Sequence, residues 1–382
     1  MTTPLLAEVL RSCGTALAAA ALAYLLTALV ALAWRRRARA ALCSGPALGV
    51  TVLKPLYGRE PQLERCLRSF CEQRYAPLQI LCGVASPEDP AAALVETLRR
   101  DYPQLDLELV VDATRHGTSA KVSNLINMSR RARHDWLVLA DADVEVPPQY
   151  LARVSAPLAD PRVGIVTCPY RGRAQSSLWS QLGAAFVNGW FMPSVYVAAL
   201  FGSRAFAFGA TIALRRPVLE SIGGFAAIAD QLADDYRLGE LTRARGLVTR
   251  LSEVVVDTWM HERTLGSLLH HELRWLRTIR AVRPLGYALS FVTFPLPVAL
   301  IGWALAGGAA ATTWMLIAAV AARLMLHLAI CGAGSPAAQL WVIPLNDALA
   351  FALWCWGFAS RRVLWRDTRY RVARDGSVEP TG

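Results

Sequence analysis

Two aspartates placed one residue apart are the first residues in this sequence whose spacing suggests chemistry. Asp141 and Asp143 directly follow the apolar run 137–140, which has the composition of a buried strand. Two carboxylates at alternate positions can share one hard divalent cation, and that cation can hold a diphosphate. A polar turn that merely ends a strand is the alternative interpretation, because aspartate is common in turns. The surrounding residues must decide between the two.

Two further groups add the functions that such a cation site lacks. Asp234 and Asp235 open a predicted helix, where acidic residues also stabilise the helix dipole. His271, Arg274 and Trp275 lie in a strongly basic predicted helix, whose alternative role is an amphipathic helix at a membrane surface. Sugar transfer from a nucleotide donor needs positive charge on the leaving diphosphate and a base for the acceptor hydroxyl. The three groups together satisfy these needs.

The segments around these groups predict an α/β fold. Apolar strand-like runs alternate with helical patterns, which is typical of a parallel sheet. The predicted strands cover residues 49–53, 79–85, 107–111 and 136–140. Polar residues follow several of these strands, among them Asp89, Asp112 and the Asp141/Asp143 pair. Because ligands bind beyond the carboxyl ends of strands in such sheets, these residues mark the predicted ligand-binding edge.

The apolar residues are concentrated at the two ends of the chain. Hydrophobic residues make up 54% of the 382 residues and charged residues 18%. Residues 12–34 carry no charge and are long enough to cross a bilayer as a helix, and basic residues follow them. This order predicts a retained anchor with its basic end in the cytoplasm. The uncharged stretch 182–203 contains glycine and proline, and we interpret it as an interfacial segment lying against lipid.

A second membrane region is predicted near the C-terminus. No charge occurs in residues 284–322, and the following apolar stretch contains Arg323 and Asp347. Charges at membrane depth are usually paired, so these two residues are a hypothetical ion pair. The predicted organisation is an anchor at 1–40, a cytoplasmic catalytic domain at 45–283, a membrane region at 284–360 and a basic cytoplasmic tail at 361–382. An even number of crossings after the catalytic domain would keep the tail on the cytoplasmic side.

Charge and cysteine content exclude other classes of protein. The formal net charge is +11, but the arginines cluster beside the apolar segments, as at 35–39 and 361–371. That is the positive-inside pattern of membrane proteins, with no interleaving of basic and aromatic residues typical of nucleic-acid binding. No nucleic-acid partner is predicted. The eight cysteines contain no Cys-x-x-Cys pair, so neither a zinc site nor a disulfide framework is predicted.

Several motifs, in order, resemble those of a known family. The sequence from about 49 to 283 resembles the inverting GT-A-fold glycosyltransferases that include ceramide glucosyltransferase. The matching motifs are PEDP with Asp89, Asp141-Ala142-Asp143, DDY with Asp235, and the terminal Arg274-Trp275. Longer stretches, KVSNLIN, FAFGATIALRR, LADDYRLGELTRARG and HELRWLRTIRAVRPLGY, resemble most closely the hopanoid-biosynthesis glycosyltransferases. The resemblance implies a GT-A (Rossmann-like) nucleotide-sugar-binding domain with N- and C-terminal transmembrane helices.

The resemblance also implies a role for each matched residue. Asp89 would contact the nucleoside, Asp141 the nucleotide, Asp143 the metal, and Asp235 would be the base. Lys121 and Asn124 match the lysine and asparagine motif of the nucleotide-sugar site. Arg274 and Trp275 would bind the diphosphate and close the acceptor side. His271 is a departure, because the family has glutamine or arginine there, and only a protonated histidine supplies positive charge.

The resulting hypothesis is a multi-pass enzyme of the inner (cytoplasmic) membrane with its catalytic domain in the cytoplasm. It uses Mg²⁺ or Mn²⁺ and transfers a hexosyl unit, N-acetylglucosamine from UDP-GlcNAc, to a hydroxyl of a hopanoid polyol lipid. Glucose transfer from UDP-glucose to ceramide is the nearest alternative. A processive polysaccharide synthase is an alternative of another class, disfavoured by the small number of C-terminal apolar segments. A transporter-like protein with a regulatory domain does not explain the acidic motifs.

Overall fold

The structure is a computed structural model that describes residues 3–37, 48–175, 177–331, 340–360, 362–365, 368–373 and 377–380. Arg39, Arg361 and Arg366, part of the basic clusters predicted to face the cytoplasm, lie outside these residues. The α-helices are α1 (Thr3–Arg37), α2 (Leu63–Cys71), α3 (Pro90–Asp101), α4 (Ala120–Ser129), α5 (Tyr150–Ser155), α6 (Leu178–Phe186), α7 (Met192–Leu200), α8 (Arg216–Ser221), α9 (Asp234–Ala244), α10 (Leu265–Val282), α11 (Pro284–Leu289), α12 (Pro295–Leu305), α13 (Ala310–Cys331) and α14 (Val342–Gly357). The strands are β1 (Val50–Pro55), β2 (Leu78–Val84), β3 (Asp106–Val111), β4 (Trp136–Leu139), β5 (Val144–Glu145), β6 (Val163–Thr167), β7 (Tyr170–Ala174), β8 (Ile212–Arg215), β9 (Val248–Leu251), β10 (Val256–Met260), β11 (Arg362–Trp365), β12 (Thr368–Val372) and β13 (Val378–Pro380).

The predicted catalytic domain is built on a sheet with strand order β3-β2-β1-β4-β8-β6-β9. The four strands predicted from the sequence are confirmed, and they pair in parallel. β8 departs from the predicted parallel sheet, because it runs antiparallel to both β4 and β6. Ile212 pairs with Leu139, so β8 begins at the edge where β4 ends. The residues that precede β8 therefore reach the same edge as the acidic loop.

The buried strands alternate their side chains between two hydrophobic layers. In β1, Val50 and Val52 point to one layer and Leu53 to the other; in β2, Ile80 and Leu81 divide in the same way. Side chains of successive strand residues point to opposite faces, so a strand covered on both faces needs apolar residues at every position. This explains the near-continuous apolar runs in the sequence. The tightly packed strands that they form hold the predicted catalytic edge rigidly.

A short second sheet extends the catalytic edge. Its order is β5-β10-β7, with β10 antiparallel to β5 and parallel to β7. β5 follows the Asp141/Asp143 loop directly, and β10 leads into the segment before α10. The sheet thereby brings the acidic loop and the beginning of α10 together, although more than one hundred residues separate them in the chain.

The apolar helices pack as a bundle around α1. Within the described residues, Pro4–Arg37, Leu178–Leu200 and Ala310–Cys331 are long and apolar enough to cross a membrane. The pair Pro284–Thr293 and Pro295–Leu305, bent by 72°, would make a fourth span if it acts as one. α1 and α12 approach closely at two glycines, because a Cβ on Gly14 would lie 2.5 Å from the Gly302 carbonyl oxygen. Small residues at such contacts allow backbones to pack tightly in membrane bundles.

The segment predicted to be interfacial forms one apolar helix. α6 and α7 are joined by a π-helical turn at Val187–Phe191, so the helix extends from Leu178 to Leu200. Its second half packs against α1, where Tyr24 and Ser194 share a hydrogen bond of 3.1 Å. Its first half packs against α10 and α14. The helix therefore joins the apolar bundle to the catalytic domain, and its placement at the membrane interface stays a prediction.

The hypothetical ion pair in the C-terminal membrane region is confirmed. Arg323 of α13 donates two hydrogen bonds to Asp347 of α14, with distances of 2.9 Å from Nε to Oδ2 and 2.8 Å from Nη2 to Oδ1. Both side chains are buried. A charge at this depth is tolerated because its partner is paired with it in a bidentate geometry.

The residues predicted to be a basic tail contain an unpredicted sheet. β11, β12 and β13 pair antiparallel, and Val363 packs with Leu232 and Ala281. Leu232 lies just before the Asp234/Asp235 pair, and Ala281 lies in α10. The C-terminal strands consequently rest on the two elements that carry the predicted base and the predicted diphosphate site.

Candidate active site

A cavity of about 880 Å³ opens at the catalytic edge of the main sheet. It is bounded by the loop after β4, the start of α4, the residues before β8, the start of α9 and one face of α10. Eight of the nine predicted site residues line it, namely Lys121, Asn124, Asp141, Asp143, Asp235, His271, Arg274 and Trp275. The structure thus brings together residues that are spread over more than 150 positions of the sequence.

The two aspartates after β4 have different surroundings. The Lys121 ammonium lies 2.7 Å from the Asp141 carboxylate, and this ion pair neutralises the charge of Asp141. Asp143 makes no ion pair within the described part of the chain. Burial, followed by the neighbouring charges of Asp141 and Glu60, raises the pKa of Asp143 to about 8. A carboxylate in this position would gain from any cation that binds beside it.

Lys54 supports this loop from below. It is completely buried at the end of β1 and donates to the backbone carbonyl of Asp141, while its ammonium lies 4.2 Å from the centre of the Phe70 ring. Burial lowers the pKa of Lys54, and the charges of Asp143 and Asp141 act in the opposite direction. A lysine inside an apolar strand was a visible signal in the sequence, but it was not interpreted as part of the site.

Asp234 and Asp235 are distinguished by their partners. Asp234 lies 3.3 Å from the Lys121 ammonium. Asp235 instead accepts hydrogen bonds from two backbone amides, Gly209 at 2.8 Å and Tyr236 at 2.7 Å. Burial and the adjacent Asp234 raise the pKa of Asp235 to about 6, although Lys121 and these amides lower it. The pKa of Asp235 therefore lies above its ordinary value, in the range that suits a base working near neutral pH, and its role as the base stays a prediction.

Lys121 is shared by the two acidic pairs. α4 begins after Ser119, whose hydroxyl accepts from the Val122 amide, so Lys121 lies in the first helical turn. Burial lowers the pKa of Lys121, but Asp141 and Asp234 raise it more, so the ammonium stays charged. Asn124, one turn later, donates to the Gly83 carbonyl at 2.7 Å. A Cβ at Gly83 would lie 2.0 Å from the Asn124 side chain, which explains the glycine there.

Asp89 is the predicted site residue that does not line the cavity. Its carboxylate accepts from the Ala91 amide and thereby caps α3, and it also accepts from the Gly58 amide at 3.0 Å. The side chain therefore joins the loop after β1 to the helix after β2. Its predicted contact with the nucleoside stays a prediction, with the Gly58 loop as the element through which it would act.

His271 has an acidic partner that the sequence analysis missed. His271 Nδ1 lies 2.6 Å from Glu262 Oε1, and the Glu262 side chain is only 4% exposed. Burial raises the pKa of Glu262, but the hydrogen bond from His271 lowers it below the ordinary value. Burial also lowers the pKa of His271, against the opposite effect of Glu262. At neutral pH this arrangement is a glutamate that accepts from the Nδ1–H of a neutral imidazole.

Two further charged residues of α10, the half-buried Arg274 and the buried Glu272, contribute to the electrostatics of the site. Burial lowers the pKa of Arg274, while Asp141, Glu272 and the Asp234/Asp235 pair raise it. Glu272 is 1% exposed, and both of its carboxylate oxygens lack a partner in the described chain. Burial therefore raises the pKa of Glu272 well above its ordinary value. Arg274 is the cation of this helix that faces the acidic loop.

Aromatic side chains form one wall of the cavity. Phe191, from the π-helical turn, stacks on Tyr170 with ring centres 4.3 Å apart and meets Phe208 edge-on at 5.0 Å. Trp275 packs against Tyr170 at 6.4 Å, and Trp190 also lines the cavity. The sequence motifs identified only Trp275 in this wall. One helix thus supplies aromatic residues to the active site and apolar residues to the bundle.

The site fits a divalent cation through two carboxylates rather than a complete protein cage. Within the described ranges, no group of three or more His, Cys, Asp or Glu side chains has the arrangement of a metal site. Asp143, with Asp141 beside it, could supply hard oxygen ligands, and burial together with the charges of Asp141 and Glu60 raises the pKa of Asp143. Cations that bind nucleotides commonly take one or two carboxylates and complete their coordination with phosphate oxygens and water.

Solved structures show which fold this is. The mannosyltransferase PcManGT from Pyrobaculum calidifontis, solved in complex with GDP-Man and Mn²⁺, superposes with a TM-score of 0.52. The match covers 91% of this chain and 98% of that chain at 23% sequence identity. The mixed, mostly parallel sheet and its catalytic edge are those of the GT-A fold, as predicted.

Curated proteins with related sequences include ceramide glucosyltransferases. Ceramide glucosyltransferase 1 of Caenorhabditis elegans is 23% identical over 241 residues, which cover 62% of this chain and 51% of that protein. The ceramide glucosyltransferase of Komagataella phaffii is 32% identical over 109 residues, covering 28% of this chain and 21% of that protein. The chain spans about half the length, or less, of these curated relatives.

The match to a family extends over almost the whole chain. The model of glycosyl transferase family 21 matches residues 14–378. This range includes most of the apolar helix α1, the complete cavity and the strands β11 and β12. With the GT-A sheet and the acidic motifs gathered in one cavity, the chain belongs to glycosyl transferase family 21.

Proposed function

We propose that this chain is a membrane-anchored, inverting glycosyltransferase that moves a hexosyl unit from a UDP-sugar to a lipid hydroxyl. One observation carries the proposal: the same cavity combines half-buried carboxylates at the sheet edge with aromatic side chains from the apolar helix 178–200. The carboxylates suit a nucleotide-sugar and its reaction, and the aromatic wall suits an apolar acceptor. A water-soluble acceptor would not need a site built partly from such a helix.

The chemistry proposed for Asp235 is a single displacement. The acceptor oxygen forms a bond to the anomeric carbon on the face opposite UDP, the bond from that carbon to the phosphate oxygen breaks, and the hydroxyl proton passes to Asp235. A pKa of about 6 leaves Asp235 ionised at neutral pH and still basic enough to take the proton. The amides of Gly209 and Tyr236 hold both carboxylate oxygens in place.

The leaving diphosphate would be held by three protein groups and a cation. Lys121 and Arg274 supply positive charge from two sides of the cavity, and His271, neutral before the donor binds, would add to it once the bound diphosphate favours its protonated form. Asp143, with Asp141, would hold Mg²⁺ or Mn²⁺, which supplies further positive charge to the departing UDP when it is bound. Lys121 also lies close to both Asp141 and Asp234, so its positive charge reduces the repulsion between these two carboxylates before the donor binds.

For the substrates, we propose N-acetylglucosamine from UDP-GlcNAc and a hopanoid polyol. The support is the set of long motifs described above, which surround the cavity: KVSNLIN forms the start of α4, and HELRW the cavity side of α10. A second candidate is glucose transfer from UDP-glucose to ceramide. The curated relatives favour this candidate, because they are ceramide glucosyltransferases.

We further propose that the catalytic domain lies on the cytoplasmic side of the inner membrane. Arg35, Arg36 and Arg37 end α1, which places this end on the cytoplasmic side by the positive-inside rule. Arg35 donates to the Ser252 carbonyl of the catalytic domain, so the domain and the basic end of α1 share one side.

A two-by-two substrate experiment tests the proposal. The purified full chain is incubated with UDP-GlcNAc or UDP-glucose and with a hopanoid polyol or ceramide, with Mg²⁺ or Mn²⁺ present, and lipids are analysed by mass spectrometry. Asp235→Asn serves as the matched inactive control. We expect an N-acetylglucosaminyl hopanoid; glucosylceramide would select the second candidate. A long polymer would select a processive synthase, and no donor consumption with any acceptor would refute glycosyl transfer.

A further inference from the structure

A second cavity, of about 330 Å³, lies where α1 ends against the catalytic domain, and it shares no lining residue with the active site. We call it the basic pocket and define it by Arg35, Arg162, Arg204 and Arg250. Asp160 is the one acidic residue that lines it, and Asp160 is held by Arg162 at 2.9 Å. Four guanidinium groups therefore face a single carboxylate, which leaves a surplus of positive charge.

Two of these arginines are available for a ligand. Arg204 and Arg250 are exposed and make no hydrogen bond or ion pair with any described residue. Arg35 donates to the Ser252 carbonyl, which fixes one side of the pocket. Guanidinium groups bind phosphate oxygens through paired N–H donors, so a phosphate group matches the charge of the basic pocket, whose volume leaves room for the rest of a headgroup.

The position of the basic pocket selects the source of that phosphate. Trp34 lines the pocket and is 43% exposed at the basic end of α1, and Phe201, which follows α7, is 77% exposed. Tryptophan and basic residues at the end of an apolar helix mark the level of lipid headgroups. A bilayer crossed by α1 would thus place its headgroups at the mouth of the basic pocket, with Phe201 directed at the membrane boundary.

We propose that the basic pocket binds the phosphate of an anionic phospholipid headgroup and that this binding supports the active site. The connection is short: Phe206 lines the basic pocket and stacks on Phe208 of the aromatic wall, with ring centres 5.6 Å apart. Gly209, the next residue, donates to the predicted base Asp235. A lipid that restrains Arg204 therefore also restrains the segment that holds Asp235. This inference rests on the proposed membrane attachment and lipid-acceptor activity.

The test compares lipid environments for the full chain. Transfer to a fixed acceptor is measured in phosphatidylcholine vesicles with and without phosphatidylglycerol, and native mass spectrometry counts retained phosphatidylglycerol. We expect phosphatidylglycerol to raise turnover, and Arg204→Gln with Arg250→Gln to weaken its retention by about tenfold and to remove the stimulation. Arg130→Gln with Arg131→Gln removes the same charge from exposed positions outside the basic pocket and should behave like the parent.

The outcomes separate this inference from the proposed function. Equal stimulation of the Arg204/Arg250 variant and the control variant would overturn the inference, while transfer in phosphatidylcholine alone would leave the proposed function intact. Loss of transfer in every vesicle and for the parent chain would instead contradict the proposed function. Stimulation by inorganic phosphate equal to that by phosphatidylglycerol would identify a soluble anion and overturn the lipid assignment. Unchanged thermal unfolding of the exposed-site variants checks that they fold.

Discussion

Two groups of buried charges in this protein are built in opposite ways. Between α13 and α14, Arg323 and Asp347 satisfy each other through two hydrogen bonds of 2.9 and 2.8 Å. In the active site, Asp143 and Asp235 have no basic partner in a direct ion pair among the described residues, and their pKa values are raised to about 8 and about 6. The first group balances its own charge, and only Arg323 Nη1 has no hydrogen-bond partner among the described residues. The second group has negative charge that only a cation, a bound sugar donor or a proton would compensate, and this is expected of a reactive site.

The active-site half of this comparison predicts the largest effect. Asp235→Asn should keep UDP-sugar binding but lower turnover about 10²- to 10⁴-fold, because the acceptor proton has no base to go to. Asp234→Asn should cost much less, since Asp234 pairs with Lys121. Turnover and donor affinity are measured for both variants side by side. An inactive Asp234 variant beside an active Asp235 variant would show that the base has been misassigned.

The same variant should be more stable than the parent. The folded-state pKa of Asp235 is raised above its ordinary value, so the ionised carboxylate opposes folding and stability falls as pH rises through about 6. Asp235→Asn removes this charge, and its single side-chain oxygen can still accept from one of the two amides of Gly209 and Tyr236. We expect a higher Tm at pH 7.5 than for the parent, and a smaller difference at pH 5. A lower Tm at both pH values would indicate that Asp235 has a structural role.

In the parent, turnover should rise with pH through about 6 as the base ionises.

The paired group should respond in the opposite way to removal of one partner. Asp347→Leu leaves Arg323 buried without its acid and should destabilise the protein by about 3–5 kcal/mol. Arg323→Met together with Asp347→Leu removes both charges and should restore most of the stability. The stability of both variants is measured by thermal unfolding in detergent, at the same content of bound lipid as the parent. If the double variant is as unstable as the single one, the pair is needed for more than mutual neutralisation.

Asp143→Asn tests the metal assignment. The variant should lose about 10²- to 10³-fold in turnover, because a cation ligand is removed and less charge is offset on the leaving diphosphate. Donor binding is compared with and without Mn²⁺ by calorimetry, and chelator should abolish transfer by the parent. The parent should show a large metal-dependent gain in donor affinity and the variant a small one. Full activity of the parent in excess chelator would rule out the cation role.

The smallest predicted effect concerns Glu262. Glu262→Gln removes the negative charge that raises the pKa of His271, so a smaller fraction of His271 is protonated at neutral pH. Donor affinity should weaken roughly tenfold and recover as pH is lowered. His271→Arg carries a permanent charge, so its donor affinity should be independent of pH over the same range. A pH-independent donor affinity in the parent would show that His271 does not bind the diphosphate through its charged form.

The comparison also shows which acceptor variants are informative. Phe191 lines the cavity, so Phe191→Ala should weaken lipid transfer while leaving UDP-sugar binding nearly unchanged. Val195 is part of the same predicted lipid-facing segment, but it is buried against α1 and the neighbouring helices. A charge at Val195 would disrupt helix packing and would therefore test the bundle rather than the acceptor.

The acidic loop, the strands and the basic helix could be predicted because each is a local pattern. An apolar run followed by Asp141-Ala142-Asp143 identifies a strand end, and the motif around Arg274 identifies a helix with its charged face. The antiparallel β8 could not be predicted, because strand direction depends on the path of the chain through 168–211 rather than on the composition of β8. For the same reason, neither the hydrogen bond from the Gly209 amide to Asp235 nor the position of Phe191 in the cavity wall could be predicted.

By itself, the sequence determined the kinds of groups this protein uses: carboxylates after strands, basic residues late in the domain, and apolar helices at both ends. These depend on residue type and short spacing, which local backbone geometry converts directly into structure. Only the tertiary structure decided how the charges are paired. In the folded chain, His271 pairs with Glu262, and Lys121 lies between Asp141 and Asp234. Asp143 and Asp235 have no direct basic partner among the described residues. Pairing depends on distance and burial across segments far apart in sequence, and these are set when the sheets and helices pack.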